Sequence, residues 1–201
     1  MKLLEVRTIQ AALRADVAKR TLEGHAAVFG QECDFGWFRE RIDPHAFDGD
    51  AITGDIRALF NHDRNQVLGR TSAKTLRVWV DEKGLAYRID LPDTQLGHDL
   101  AVSVDRGDIS QSSFAFWTVK EDVLPEKGRS DLRILKRVLV DDVSPVTVPA
   151  YTGTDVSARA LMDAGFTTPE QIARHLEEER QARIQRLLRR VRMARALRGA
   201  A

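Results

Sequence analysis

The chain predicts a mainly β protein with some helix (α+β): a barrel-like antiparallel core with flanking helices, followed by a helical C-terminal tail. Three observations carry this. Short runs rich in Val, Ile, Phe, Tyr and Trp recur through the first 150 residues, bounded by Gly, Pro, Asn and Asp. One stretch among them has the spacing and cap of a helix. The composition then changes after Thr152-Gly153-Thr154 to an arginine-rich pattern, which divides the chain into a core, 1–155, and a tail, 156–201.

Taken in order, residues 3–13 and 20–29 read as the two arms of a hairpin around Arg14 to Lys19. Trp37 to Ile42 is a short strand, and Asp43-Pro44 starts a turn running through Phe47. Ile56 to Phe60 leads as a strand into His62, and Gln66 to Arg70 is a second short strand. Leu76 to Val80 and Leu85 to Leu91 flank Asp81-Glu82-Lys83-Gly84, a hairpin whose connection ends in glycine. Asp93-Thr94 caps a helix over about 95–106, which Gly107 stops. Strands follow at about 109–121, 132–140 and 143–148, the first two joined by a turn from Pro125 to Ser130. Many short strands with one embedded helix suit a barrel-like core.

The tail reads as one long helix from Thr168, with Thr168 as N-cap, Pro169 in the first position and Gln171 completing a capping box. Residues 170–201 hold nine Arg against four Glu, and the glutamates precede the arginines as the helix dipole favours. Ile172, Leu176, Ile184, Leu187, Leu188, Val191 and Leu197 add an apolar stripe.

Composition narrows the function classes. Hydrophobic residues at 43% leave enough for a buried core. Lys+Arg 31 against Asp+Glu 30 gives a net charge of +1, which disfavours a nucleic-acid partner, as does the lack of interleaved aromatics in the tail. Glu5 stands where a signal peptide would run apolar, and no stretch approaches the ~18 apolar residues of a membrane span, so no membrane partner is expected. Cys33 is the only cysteine, which excludes an intrachain disulfide and fits a reducing compartment. Histidines are scattered, with no His-Glu-x-x-His or Cys-x-x-Cys, so neither a metal nor a cofactor is expected. No Gly-rich segment forms a phosphate loop, and no Gly-x-Ser-x-Gly elbow appears.

Three segments together supply a nucleophile, a general base and a group to orient the base: Ser110 to Ser113, His62, and Asp141-Asp142. Strand alternation places Ser112 with Phe114 and Phe116 toward the core, and Ser113 with Gln111 and Ala115 on the other face. An imidazole at His62 titrates near neutrality and can carry a serine proton. Asp63 would point away from it in an extended chain. His25, His45, His98 and His175 compete for the base, although His98 and His175 fall in helical patterns. Asp141-Asp142 suits either an orienting carboxylate or a turn, and chemistry alone does not choose between the two aspartates.

Eight blocks in sequence order carry a resemblance. They include Leu22-Glu23-Gly24-His25-Ala26-Ala27-Val28-Phe29, Glu40-Arg41-Ile42-Asp43-Pro44-His45-Ala46-Phe47, Ala58-Leu59-Phe60-Asn61-His62-Asp63 and Val67-Leu68-Gly69-Arg70-Thr71. Ile109-Ser110 through Phe116 and Asp142-Val143-Ser144 through Pro149-Ala150 extend the pattern. Over about residues 20–155 the chain resembles the prohead (capsid maturation) serine proteases of tailed bacteriophages, a family related in fold to the herpesvirus assembly proteases. The resemblance assigns His62 as base, Ser113 as nucleophile and Asp142 as the acidic member; the herpesvirus relatives use a second histidine there. The chain departs from the family pattern at Gln111-Ser112, where Gly-Met is usual, at Ala115, where Gly is usual, and at His45.

The resemblance implies a serine endopeptidase acting on the major capsid protein and its scaffold segment inside the assembling prohead, in the cytoplasm of the bacterial host, and then on itself. Self-association is left open. The tail is either a delivery element docking on capsid or scaffold helices or an ordinary helix. The alternative function is a non-catalytic capsid assembly or scaffold protein retaining a protease-like barrel, fed by the departures around Ser113.

Overall fold

The computed structural model describes residues 4–9, 13–35 and 38–147. The chain divides into two units, Met1–Asp155 and Val156–Ala201; the expected helical tail lies outside the described residues. Among the described residues eleven strands and one helix follow in order: β1 (Leu4–Ile9), β2 (Arg14–Asp16), β3 (Thr21–Val28), β4 (Glu32–Asp34), β5 (Phe38–Ile42), β6 (Arg57–Phe60), β7 (Asp63–Arg70), β8 (Leu76–Val80), β9 (Gly84–Asp90), α1 (Gln95–Asp105), β10 (Gln111–Leu124) and β11 (Asp131–Val146).

β11 organises the larger sheet. One edge pairs antiparallel with β10 along almost its whole length. The other edge is shared end to end: β5 runs parallel to Asp131 through Leu135, and β6 runs parallel to Asp142 and Val143. β1 lies on the far side of β10, β4 on β5, and β7 on β6. The smaller sheet has the order β2-β3-β9-β8. One hydrophobic cluster spans both, with Leu22, Leu85, Tyr87 and Ile89 from the small sheet meeting Phe114, Phe116, Leu135 and Val143 from the large one. Phe114 and Phe116 stack at 4.7 Å between ring centroids.

The helix forms as its caps predict. Thr94 accepts the Gly97 N–H at 3.3 Å, and Leu100, Ala101 and Val104 turn into the core. Gly107, at φ 84°, closes the helix in a left-handed conformation that costs glycine nothing, and its N–H reaches the Val104 carbonyl at 3.0 Å. The β8–β9 hairpin is present as expected, in register from Leu76↔Ile89 to Val80↔Leu85.

Four expectations need correction. The strands make two open sheets rather than a closed barrel: among the described residues β1 pairs with β10 alone and β8 with β9 alone, so no ladder closes the ring. In place of flanking helices, the described residues hold the one helix α1. The hairpin expected from residues 3–13 and 20–29 is replaced, among the described residues, by other pairings: β1 crosses to β10, while β3 takes β2 and β9. Charge explains the crossing. Arg7 meets Glu40 at 2.6 Å and lies over the Phe116 ring, and Arg133 meets Glu5 at 2.5 Å, partners that exist only on the large sheet. Last, the strands expected at 132–140 and 143–148 are one strand, because Asp141 is absorbed as a bulge instead of a turn.

Candidate active site

His62 is set by a tight turn. β6 and β7 are joined by Asn61 and His62 alone, with Phe60 paired to Asp63. Both residues have positive φ, 53° and 57°, as a two-residue type I′ hairpin requires. Asparagine tolerates that region well; histidine does so at a cost of about 1 kcal/mol or more. The turn is tied to β11 and to the residue just after it: Asn61 N–H donates to the Pro145 carbonyl at 3.1 Å, and Asn61 Oδ1 accepts Thr147 N–H at 2.9 Å. The imidazole is thereby carried over the face of β10 and β11.

Ser113 is set by alternation. Ser112 turns inward and shares a 2.7 Å hydrogen bond with the Tyr87 hydroxyl, whose pKa burial pushes up. Ser113 faces the other way, opposite Ser144 on β11 and Thr8 on β1. Gln111, two residues back on that face, is half-buried, and its side-chain oxygen makes no hydrogen bond.

Asp142 is set by the bulge. Ala115 pairs with Asp142, but Phe116 pairs with Val140, so Asp141 stands opposite no residue. Without the extra residue, Val140 and Asp142 would share a face. With it, Val140 joins Phe116 in the core while Asp142 joins Ala115 and Ser113 on the site face. Asp141 instead meets Arg64 at 2.8 Å on the surface. Of the two aspartates, Asp142 alone lies beside the imidazole.

The three side chains meet. His62 Nδ1 is 2.6 Å from Asp142 Oδ1, and His62 Nε2 is 2.6 Å from Ser113 Oγ. Ser113 Oγ also lies 2.9 Å from the Arg7 carbonyl of β1. Ser144 Oγ donates to Asp142 Oδ1 at 2.8 Å and sits 3.3 Å from His62 Nδ1. Ser113 and Ser144 have no exposed surface and Asp142 is 3% exposed, while the His62 side chain keeps 21%. Such an arrangement can pass a proton from a hydroxyl to an imidazole whose far nitrogen is held by a carboxylate.

Residues 4–165 match the family model described as caudovirus prohead serine protease. The chain belongs to that family. No curated protein and no solved structure gives a significant match.

For a prohead serine protease, the other candidates lie elsewhere. His25 pairs with Asp81 at 2.8 Å in the small sheet; His45 and His98 are exposed beside Asp48 and Asp93; His175 is outside the described residues. Asp63 accepts from Asn65 and Gln66 and does not meet the imidazole. Cys33 is half-buried on β4, and burial, then the Glu40 charge, push its thiol pKa up, away from a reactive thiolate. Among the described residues no group of three or more His, Cys, Asp or Glu side chains is placed to hold a metal ion, and no helix is long and apolar enough to cross a membrane. Ser144 and the Arg7 carbonyl join the cluster without having been among the candidates from sequence. Ser144 was legible as the residue two beyond Asp142 on a strand face; a backbone carbonyl leaves no mark in sequence.

Proposed function

We propose that this prohead-family protease hydrolyses peptide bonds through an acyl-enzyme on Ser113, with His62 as base and Asp142 orienting it. The observation that supports this most is the imidazole lying 2.6 Å from both the Ser113 hydroxyl and the Asp142 carboxylate. In the competent state Nδ1–H donates to Asp142, and Nε2 accepts the serine proton as Oγ attacks the scissile carbonyl. The resulting imidazolium then donates Nε2–H to the leaving amine, and water repeats the cycle to release the acyl group.

The Arg7 carbonyl adds a proton position. A serine hydroxyl has one proton and here two acceptors, His62 Nε2 and Arg7 O. With a neutral imidazole the proton goes to Nε2 and the serine is primed. With an imidazolium, Nε2 becomes a donor and the hydroxyl turns to Arg7. Ser113 has no exposed surface, so a scissile carbonyl reaches Oγ only after the groups packed over it move.

The substrates in this reading are the major capsid protein and its scaffold segment inside the assembling shell, followed by the protease itself, with residues 1–155 as catalytic core and 156–201 as the delivery tail. The burial of Ser113 is what favours the rival reading, a non-catalytic assembly protein on the same fold. Co-expression with the capsid protein, followed by mass spectrometry of both chains, separates them. Capsid and self fragments that disappear with Ser113→Ala are the expected result. Intact chains with the native sequence, or undiminished fragments with Ser113→Ala, would overturn the proposal.

A further inference from the structure

The Asp142 carboxylate oxygen that meets His62 is also held from its own strand. Ser144 Oγ donates to Asp142 Oδ1 at 2.8 Å, lies 3.3 Å from His62 Nδ1, and has no exposed surface. We infer that Ser144 is a positioning residue for the His62–Asp142 pair, an inference that rests on the catalytic reading above. Its single proton goes to the carboxylate, and a lone pair faces the imidazole Nδ1–H, giving that N–H a short acceptor in Asp142 and a long one in Ser144. Rotation of the carboxylate breaks the serine bond, and swinging of the ring breaks both contacts.

Strand geometry makes the hold rigid. Asp142 and Ser144 are alternate residues on one face of β11, and Ser144 pairs directly with Ser113 of β10. Nucleophile, carboxylate and the donor to that carboxylate therefore share one ladder, while the base arrives on the Asn61-His62 turn. Ser144 is not a rival nucleophile: it lies on the Nδ1 side of the ring and its proton is committed to Asp142.

The alternative role is merely structural, one donor satisfying a buried carboxylate. A double-mutant cycle read by the labelling kinetics of a fluorophosphonate probe on the full chain distinguishes the two. Ser144→Ala is expected to lower the maximal labelling rate about tenfold or more, with half-saturation unchanged and a cooperative melting transition retained. In an Asp142→Ala background the same substitution is expected to have a much smaller effect, because only the long 3.3 Å contact from Ser144 to His62 Nδ1 then remains. An unchanged rate in Ser144→Ala, or an equal additional loss in the Asp142→Ala background, overturns the inference. Ser113→Ala and His62→Ala are run alongside. If the native chain labels while His62→Ala labels equally fast, the catalytic reading fails; if both controls are silent and Ser144→Ala is unimpaired, only the positioning role fails.

Discussion

Replacing Asp142 by asparagine removes one negative charge and little else. Asparagine has the same shape and can keep an oxygen toward His62 Nδ1 and Ser144 Oγ, which now lie 2.6 and 2.8 Å from the carboxylate oxygen. What is lost, in the proposed mechanism, is attraction to the imidazolium formed as Ser113 attacks. With charge centres about 4 Å apart and an effective dielectric of about 20, that attraction is about 4 kcal/mol, or about a 10³-fold loss of rate. Single-turnover cleavage of the capsid protein, followed over hours by mass spectrometry, covers that range. Asp141→Asn is the matched control: its partner is Arg64 at the surface, where an exposed ion pair is worth ~0–1 kcal/mol, so activity should stay within about twofold. An Asp142→Asn enzyme with native activity, or a crippled Asp141→Asn, would refute the bulge argument that places one aspartate in the site and the other outside it.

Three further outcomes follow from individual contacts. Ser112→Ala leaves the Tyr87 hydroxyl buried without its partner and should lower stability by about 1–3 kcal/mol in denaturant titration while activity persists; loss of activity with stability intact would mean that the serine register is wrong. Asn61→Ala removes the acceptor for Thr147 N–H and puts a less tolerant residue at φ 53°, so it should cost about 1–3 kcal/mol and slow labelling of Ser113 by a fluorophosphonate; native stability would show that the turn is not tied to β11. Burial would raise the Glu5 carboxyl, but hydrogen bonds from Arg133 and Thr118, with the Arg7 and Arg133 charges, overcome it and hold it at about 2. A carboxyl depressed in the folded state stabilises fully above its unfolded value and loses that contribution as pH falls toward the folded one. Melting temperature should therefore drop between about pH 4.5 and about pH 2, and Glu5→Gln should flatten that part of the curve; an unchanged slope would remove Glu5 from the account of how β1 is held.

The elements with local causes were legible in the sequence. The Thr94 cap and Gly107 stop bound the helix, the glycine-ended connection marked the β8–β9 hairpin, and alternation alone sent Ser112 to the core and Ser113 to the other face. What sequence did not carry was pairing between distant strands. β1 has the same alternating look whether it joins β3 or β10, and the decision rests on ion pairs from Arg7 to Glu40 and Arg133 to Glu5, groups far apart in the chain. Asp141-Asp142 reads equally as turn or strand because a bulge is defined by its partner strand, here by Ala115 and Phe116. The left-handed turn at Asn61-His62 was hidden for a different reason. Asparagine followed by glycine would have announced it, whereas histidine in the second position looks like the end of a strand.

The central claim is that Ser113 is activated by His62. Incubating the full chain with a fluorophosphonate probe and mapping the adduct by peptide mass spectrometry tests it most directly. The account predicts one adduct, on Ser113, absent from His62→Ala and retained in Ser112→Ala. An adduct on Ser112 or Ser144, or labelling of Ser113 that proceeds equally well without the imidazole, would contradict it.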